Sequence, residues 1–144
     1  MINQLLLWLN NTPSFRTTVT WALTVAQTLS ARVYALYILP PGATAGTETS
    51  KKRHRKSSTE REEKAWELLY EVEDEAFDKN VRISLLLERG EPLPRFKEIC
   101  SIYHPDLVVV GADVTLPAAE IINQTPKPVV FVKTPAIAGN FKEE

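Results

Sequence analysis

Four short apolar runs, set apart by amphipathic or polar stretches, limit what this chain can become. Gln4–Leu9, Val33–Leu39, Leu107–Val110 and Val129–Val132 are apolar with little or no alternation. Such runs are the pattern of strands covered on both faces, so helices must lie above and below the sheet they form. A fifth run, Val81–Glu88, alternates at its start, as an edge strand does.

The intervening stretches supply the helices. Asn11-Thr12-Pro13 opens the first, with Thr12 as a capping residue and Pro13 in a turn where its missing N–H costs nothing. Phe15, Val19, Ala22, Ala26 and Leu29 then follow at helical spacing on one stripe. Thr59-x-x-Glu62 is a capping box that begins a long helix reaching about Lys79. Its inner face is Ala65, Leu69, Val72 and Ala76, with Trp66 and Phe77 on the flanks. Its outer face is acidic: Glu63, Glu67, Glu71, Asp74, Glu75 and Asp78. Pro94 begins a third helix that turns Phe96, Ile99, Cys100 and Tyr103 inward, and Pro117–Asn123 is a short fourth. Strands alternating with helices over short links predict an α/β fold with right-handed crossovers and one parallel sheet. The 144 residues make a single domain over about 4–133, with 134–144 as a C-terminal tail.

Residues 40–56 differ in kind. They are small, polar and finally basic, lack apolar periodicity, and are predicted to form a mobile loop. Its basic end, Lys51-Lys52-Arg53-His54-Arg55-Lys56, reads either as a contact for nucleic acid or anionic lipid, or as a solvated face beside the acidic helix. No aromatic residues are interleaved for base stacking, which favours the solvated face. A formal net charge of −1 adds no general attraction to polyanions. Leu5–Leu9 is too short to span a membrane and has no basic lead-in, so a cytoplasmic chain without nucleic-acid or membrane partners is predicted.

Chemistry-bearing residues are sparse. Cys100 is the single cysteine, which excludes an intramolecular disulfide and a multi-cysteine zinc site, and its apolar helical face predicts an inert buried thiol. His54 and His104 have no partner at metal-ligand spacing, so no metal is predicted. Ser14 and Thr12 have no identifiable base, so neither a catalytic residue nor an enzyme is predicted. Gly111 ends the fourth strand, where backbone in an α/β sheet can approach a phosphate. Asp113 follows it and admits two readings, a ligand contact or a carboxylate bonding its own turn. The next glycine is Gly139, beyond the last strand, so no cradle of closely spaced N–H groups follows Gly111.

Four stretches resemble the universal stress protein family: Thr20-Trp21-Ala22-Leu23-Thr24-Val25-Ala26 with Ser30-Ala31-Arg32-Val33; Gly90-Glu91-Pro92-Leu93-Pro94; His104-Pro105-Asp106-Leu107-Val108-Val109-Val110-Gly111; and Lys127-Pro128-Val129-Val130-Phe131-Val132-Lys133. The resemblance implies a Rossmann-like (adenine nucleotide alpha hydrolase-like) domain. Its five-stranded parallel sheet would have the order 3-2-1-4-5 with helices on both faces, and two copies would pair as a homodimer. It also implies, for many members, ATP held by an acidic residue ending strand one and by a G-x2-G-x9-G-[ST] loop after strand four. Here the acid aligns with Asn10, and the second glycine with Val114. The closing Ser/Thr position falls at Leu116, five residues after Gly111 instead of fourteen. Losing three charge-assisted bonds to phosphate costs ~5–9 kcal/mol, enough to carry a micromolar site to the millimolar range or beyond.

Two functions follow from these departures. The first is a non-catalytic dimeric module acting in stress response or regulation through protein contacts, without ATP of the family type and without a cofactor. The alternative is a nucleotide or small-ligand site, binding or hydrolysing, rebuilt from Asn10, Asn11, Gly111 and Asp113. Strand five would end the sheet, and Val129, Val130, Phe131 and Val132 carry no charge before Lys133. An apolar edge guarded only by Pro128 predicts antiparallel pairing with a second copy through this strand, the alternative being that the tail Ala136-Ile137-Ala138-Gly139-Asn140-Phe141 folds back over it in a monomer.

Overall fold

The computed structural model describes residues 1–41 and 48–134, with side chains described for all of these except 48–58. Nine elements run in strict alternation: β1 (Gln4–Leu9), α1 (Phe15–Leu29), β2 (Arg32–Leu39), α2 (Glu48–Asp78), β3 (Ile83–Arg89), α3 (Pro92–Tyr103), β4 (Leu107–Gly111), α4 (Ala118–Ile122) and β5 (Val129–Val132). The five strands form one sheet in the order β3-β2-β1-β4-β5, parallel at every junction. This is the order that the family resemblance implies.

The unbroken apolar runs are explained by two cores. Side chains alternate across a strand, so Leu5, Leu7 and Leu9 of β1 enter the core under α1 and α2. Leu6 and Trp8 enter the opposite core, under α3 and α4. On the first side, Ala65, Leu69, Val72 and Ala76 of α2 are fully buried, as their spacing predicts. On the second, the Trp8 and Phe96 rings stack with centroids 4.4 Å apart. Register puts Leu7 between Ala35 and Val109, at the centre of the sheet.

Several boundaries move. The long helix begins at Glu48 rather than Thr59, so 48–56 is helical where a loop is predicted. Missing apolar periodicity reports on burial, not on backbone. Lys, Arg and Glu are good helix formers, and extending an existing helix costs less than nucleating one. Residues 42–47, the tail 135–144 and the side chains of Lys51–Lys56 lie outside the described residues. The first helix starts at Phe15, with Ser14 in the capping position, and Thr12 does not cap it. The third starts at Pro92, two residues before Pro94, because a proline suits the first helical position. β3 is displaced to Ile83–Arg89, since the Val81 N–H closes the end of α2 on the Ala76 carbonyl.

Phe96→Ala removes a fully buried ring from its stack on Trp8. Urea unfolding should show a loss of about 3–5 kcal/mol, together with a change in tryptophan fluorescence of the folded state.

Candidate functional site at the strand switch point

In a doubly wound parallel sheet, ligands bind at the carboxyl ends of the strands, where the order reverses. Here that point lies between β1, ending at Leu9, and β4, ending at Gly111. Asn10, Gly111 and Asp113 come together there. They are joined by Thr12, Ser14 and Thr18, which lead into and along the first turns of α1.

Asp113 organises the group. Its Oδ1 accepts from the Ser14 hydroxyl at 2.6 Å and from the Thr12 hydroxyl at 2.9 Å, and its Oδ2 accepts from the Ser14 N–H at 3.0 Å. The carboxylate thus caps α1 from across the sheet and takes over the capping role predicted for Thr12. A negative group at a helix N-terminus is favoured by the unpaired N–H groups there. Burial alone would raise the Asp113 pKa. Hydrogen bonds from Ser14 and Thr12 outweigh it and hold the carboxyl below the ordinary aspartate value.

Gly111 allows the close approach. A Cβ at this position would stand 2.3 Å from Ser14 Oγ, 3.0 Å from Asp113 Oδ1 and 3.1 Å from Thr18 Oγ1. The glycine is therefore required by the close packing of the N-terminus of α1. The space left between the elements is about 10 Å³, room for about one water. The Asn10 amide Nδ2 is buried beside it and finds no described hydrogen-bond partner.

Asn11 is not part of this group. It is exposed and lines a separate groove of about 250 Å³ between α1 and α2, bridged by the Arg16–Glu71 ion pair at 3.4 Å. The four candidate ligand residues thus divide three to one. Thr12 and Ser14 were legible only as cap or nucleophile, because their partner Asp113 lies about a hundred residues away.

The remaining candidates are placed plainly. Burial pushes the Cys100 thiol up to about 11, against a hydrogen bond with Thr125 that lowers it. His104 ends α3 in a left-handed conformation and donates its backbone N–H to the Cys100 carbonyl. Among the described residues no three His, Cys, Asp or Glu side chains are grouped to hold a metal, and no helix is long and apolar enough to cross a membrane. Val129, Val130 and Phe131 are half-buried at the end of the sheet, while Val132 is buried in the core under α1.

A sequence model of the Universal stress protein family matches residues 1–133. The chain belongs to that family. Solved structures with the same fold include the universal stress protein UspA from Lactobacillus plantarum, at 15% identity and a TM-score of 0.79, covering 91% of this chain and 97% of that one. A family protein from Arabidopsis thaliana with AMP bound is 15% identical, with a TM-score of 0.71 and 94% of each chain covered. The universal stress protein from Archaeoglobus fulgidus in complex with dAMP is 19% identical, with a TM-score of 0.65, covering 92% of this chain and all of that one. No curated protein sequence matches the chain. At these identities the structural likeness establishes the shared fold.

Gly111→Ala should cost about 1–3 kcal/mol by overpacking, and Ser14→Ala in the same chain should recover part of that loss, read by urea unfolding. Because the Asp113 pKa is lower folded than unfolded, its contribution is complete above about pH 3.9 and disappears as pH falls through the folded value. Stability measured from pH 6 down to 2 should therefore fall less steeply in Asp113→Asn than in the natural protein.

Proposed function

We propose that this universal stress protein family member is a non-catalytic, dimeric module that acts through protein contacts in stress response or regulation, without ATP held in the family manner. The observation that carries this reading is the filled switch point. An enclosed small-molecule site needs about 300 Å³ or more, and the space beside Gly111 is about 10 Å³. The Asp113 carboxylate adds a repulsive charge where phosphates would approach, and it already occupies the N–H of Ser14. No glycine between Gly111 and Gly139 lets the backbone come close to a phosphate.

A second reading draws on the relatives with AMP and dAMP bound. A nucleotide could enter around Asn10, Gly111 and Asp113, with Asn11 at the rim, if Asp113 released Ser14 and the first turn of α1 moved away. Mass spectrometry of denatured, freshly purified protein would detect a retained nucleotide.

Isothermal titration of concentrated protein with ATP and Mg²⁺ should give no dissociation constant tighter than about millimolar. A micromolar constant would replace the first reading with the second.

For assembly, we propose antiparallel pairing of two copies through Val129, Val130, Phe131 and Val132. β5 ends the sheet and carries no charge of its own, and a two-fold pair is the simplest closed arrangement of such an edge. Light scattering at tens of micromolar should give a dimer mass. Val130→Pro, which removes a ladder donor, should convert the dimer to monomer or aggregate.

A further inference from the structure

The opposite edge of the sheet carries a second feature that the family assignment does not use. β3 ends the sheet on that side, and Ile83, Leu85, Leu86 and Leu87 along it are only half-buried. No charge interrupts the strand from Ile83 to Leu87. Arg82 stands immediately before it and Glu88 near its end. Arg82 already follows the strand path, since its carbonyl accepts the Val33 N–H at 2.9 Å. Neither Arg82 nor Glu88 makes an ion pair with any described residue.

Beside this edge runs an aromatic stripe on α2. Glu62, Trp66, Tyr70 and Phe77 recur at spacings that keep them on one side of the helix. Glu62 pairs with Arg89 of β3, which fixes this as the side toward the strand edge. Glu71, Glu75 and Lys79 instead meet Arg16, Thr20 and Gln27 of α1. Phe77 is 80% exposed and Tyr70 53% exposed, while Trp66 stacks on Tyr70 at 5.5 Å. Glu73 lies on the same stripe. Exposed aromatics next to an unpaired apolar strand are a docking surface rather than scattered surface residues.

We infer that this surface pairs with a second copy of the chain, β3 against β3 in antiparallel register about Leu85. The charges select both occupant and register. Arg82 and Glu88 are equidistant from Leu85, so a two-fold axis at that residue sets Arg82 of each copy opposite Glu88 of the other. Ile83 then faces Leu87, and Ser84 faces Leu86. Opposite charges directly across a strand pair are stabilising and like charges are not.

Helix spacing agrees with this register. α2 packs across β2 and β3. With strands spaced about 4.8 Å apart, the two α2 helices would lie about 10 Å apart, within the range for packed helices. Their aromatic stripes would meet across the axis. This contact is independent of the one through β5 and forms at higher concentration, where the dimer expected at tens of micromolar would build larger assemblies.

The test reverses the charges singly and then mixes the products. Arg82→Glu gives two acids across each end of the pair, and Glu88→Arg gives two bases. Each alone should self-associate about tenfold or more weakly than the natural chain in sedimentation from micromolar to several hundred micromolar. A one-to-one mixture of the two variants is complementary again and should regain the mass of the natural chain. Arg82 is exposed and Glu88 half-buried, and circular dichroism checks that each variant folds. Equal masses for natural and variant chains, or a mixture that stays at the mass of its components, would overturn the proposal and leave the edge to a strand of another protein. Failure of the β5 pairing reads differently, as variants already monomeric.

Discussion

The seam between β1 and β4 is the constraint on which the rest depends. β1 is the central strand, and β4 is the neighbour on which the sheet changes direction. Two aspartates fasten this seam at its ends. At the start of the strands, Asp106 accepts the N–H groups of Asn3 and Gln4 at 2.9 and 3.0 Å. At their finish, Asp113 holds Thr12 and Ser14. Both carboxyls are held below the ordinary aspartate value, Asp106 chiefly by the Asn3 and Gln4 N–H groups. Pairing of Leu5 through Trp8 with Leu107 through Val110 fills the interval with apolar side chains on both faces. The position of every helix follows from this register, because each core is one face of the same two strands.

The same seam explains the chemistry of the switch point. A parallel sheet of this order leaves a crevice between the loops that follow β1 and β4. In this chain α1 approaches until Ser14 meets Gly111, and the crevice becomes a hydrogen-bonded joint. A glycine beside a helix N-terminus can thus mark a ligand or a close packing contact. Here the distances to Ser14 and Thr18 show close packing.

Much of the fold was legible in the sequence because burial on both sides of a parallel strand leaves a strong mark. Leu5–Leu9 and Leu107–Val110 have no polar residue to confuse it. Ala65, Leu69, Val72 and Ala76 likewise recorded the inner face of α2. The start of α2 did not show, since the Lys- and Arg-rich turns before Thr59 have a helical backbone without an apolar stripe. At the site, Gly111 and Asp113 stood out by position. The bond from Asp113 to Ser14 could not, because side-chain pairs about a hundred residues apart have no local signature. Asn11 was grouped with Asn10 by adjacency, but the turn after β1 sends the two apart.

The fastening of β1 to β4 also sets an order of events during synthesis. β1 leaves the ribosome first and can pair with β2 once Leu39 is out. Its other edge must wait for Gly111, about a hundred residues after β1 ends. Until then Leu5, Leu6, Leu7 and Trp8 present an open apolar strand to whatever is nearby, a condition that favours aggregation of nascent chains. Contacts this distant in sequence also form slowly, since the closing loop is long. The residues that make the finished sheet most secure are therefore the ones most in need of shelter while it is being built.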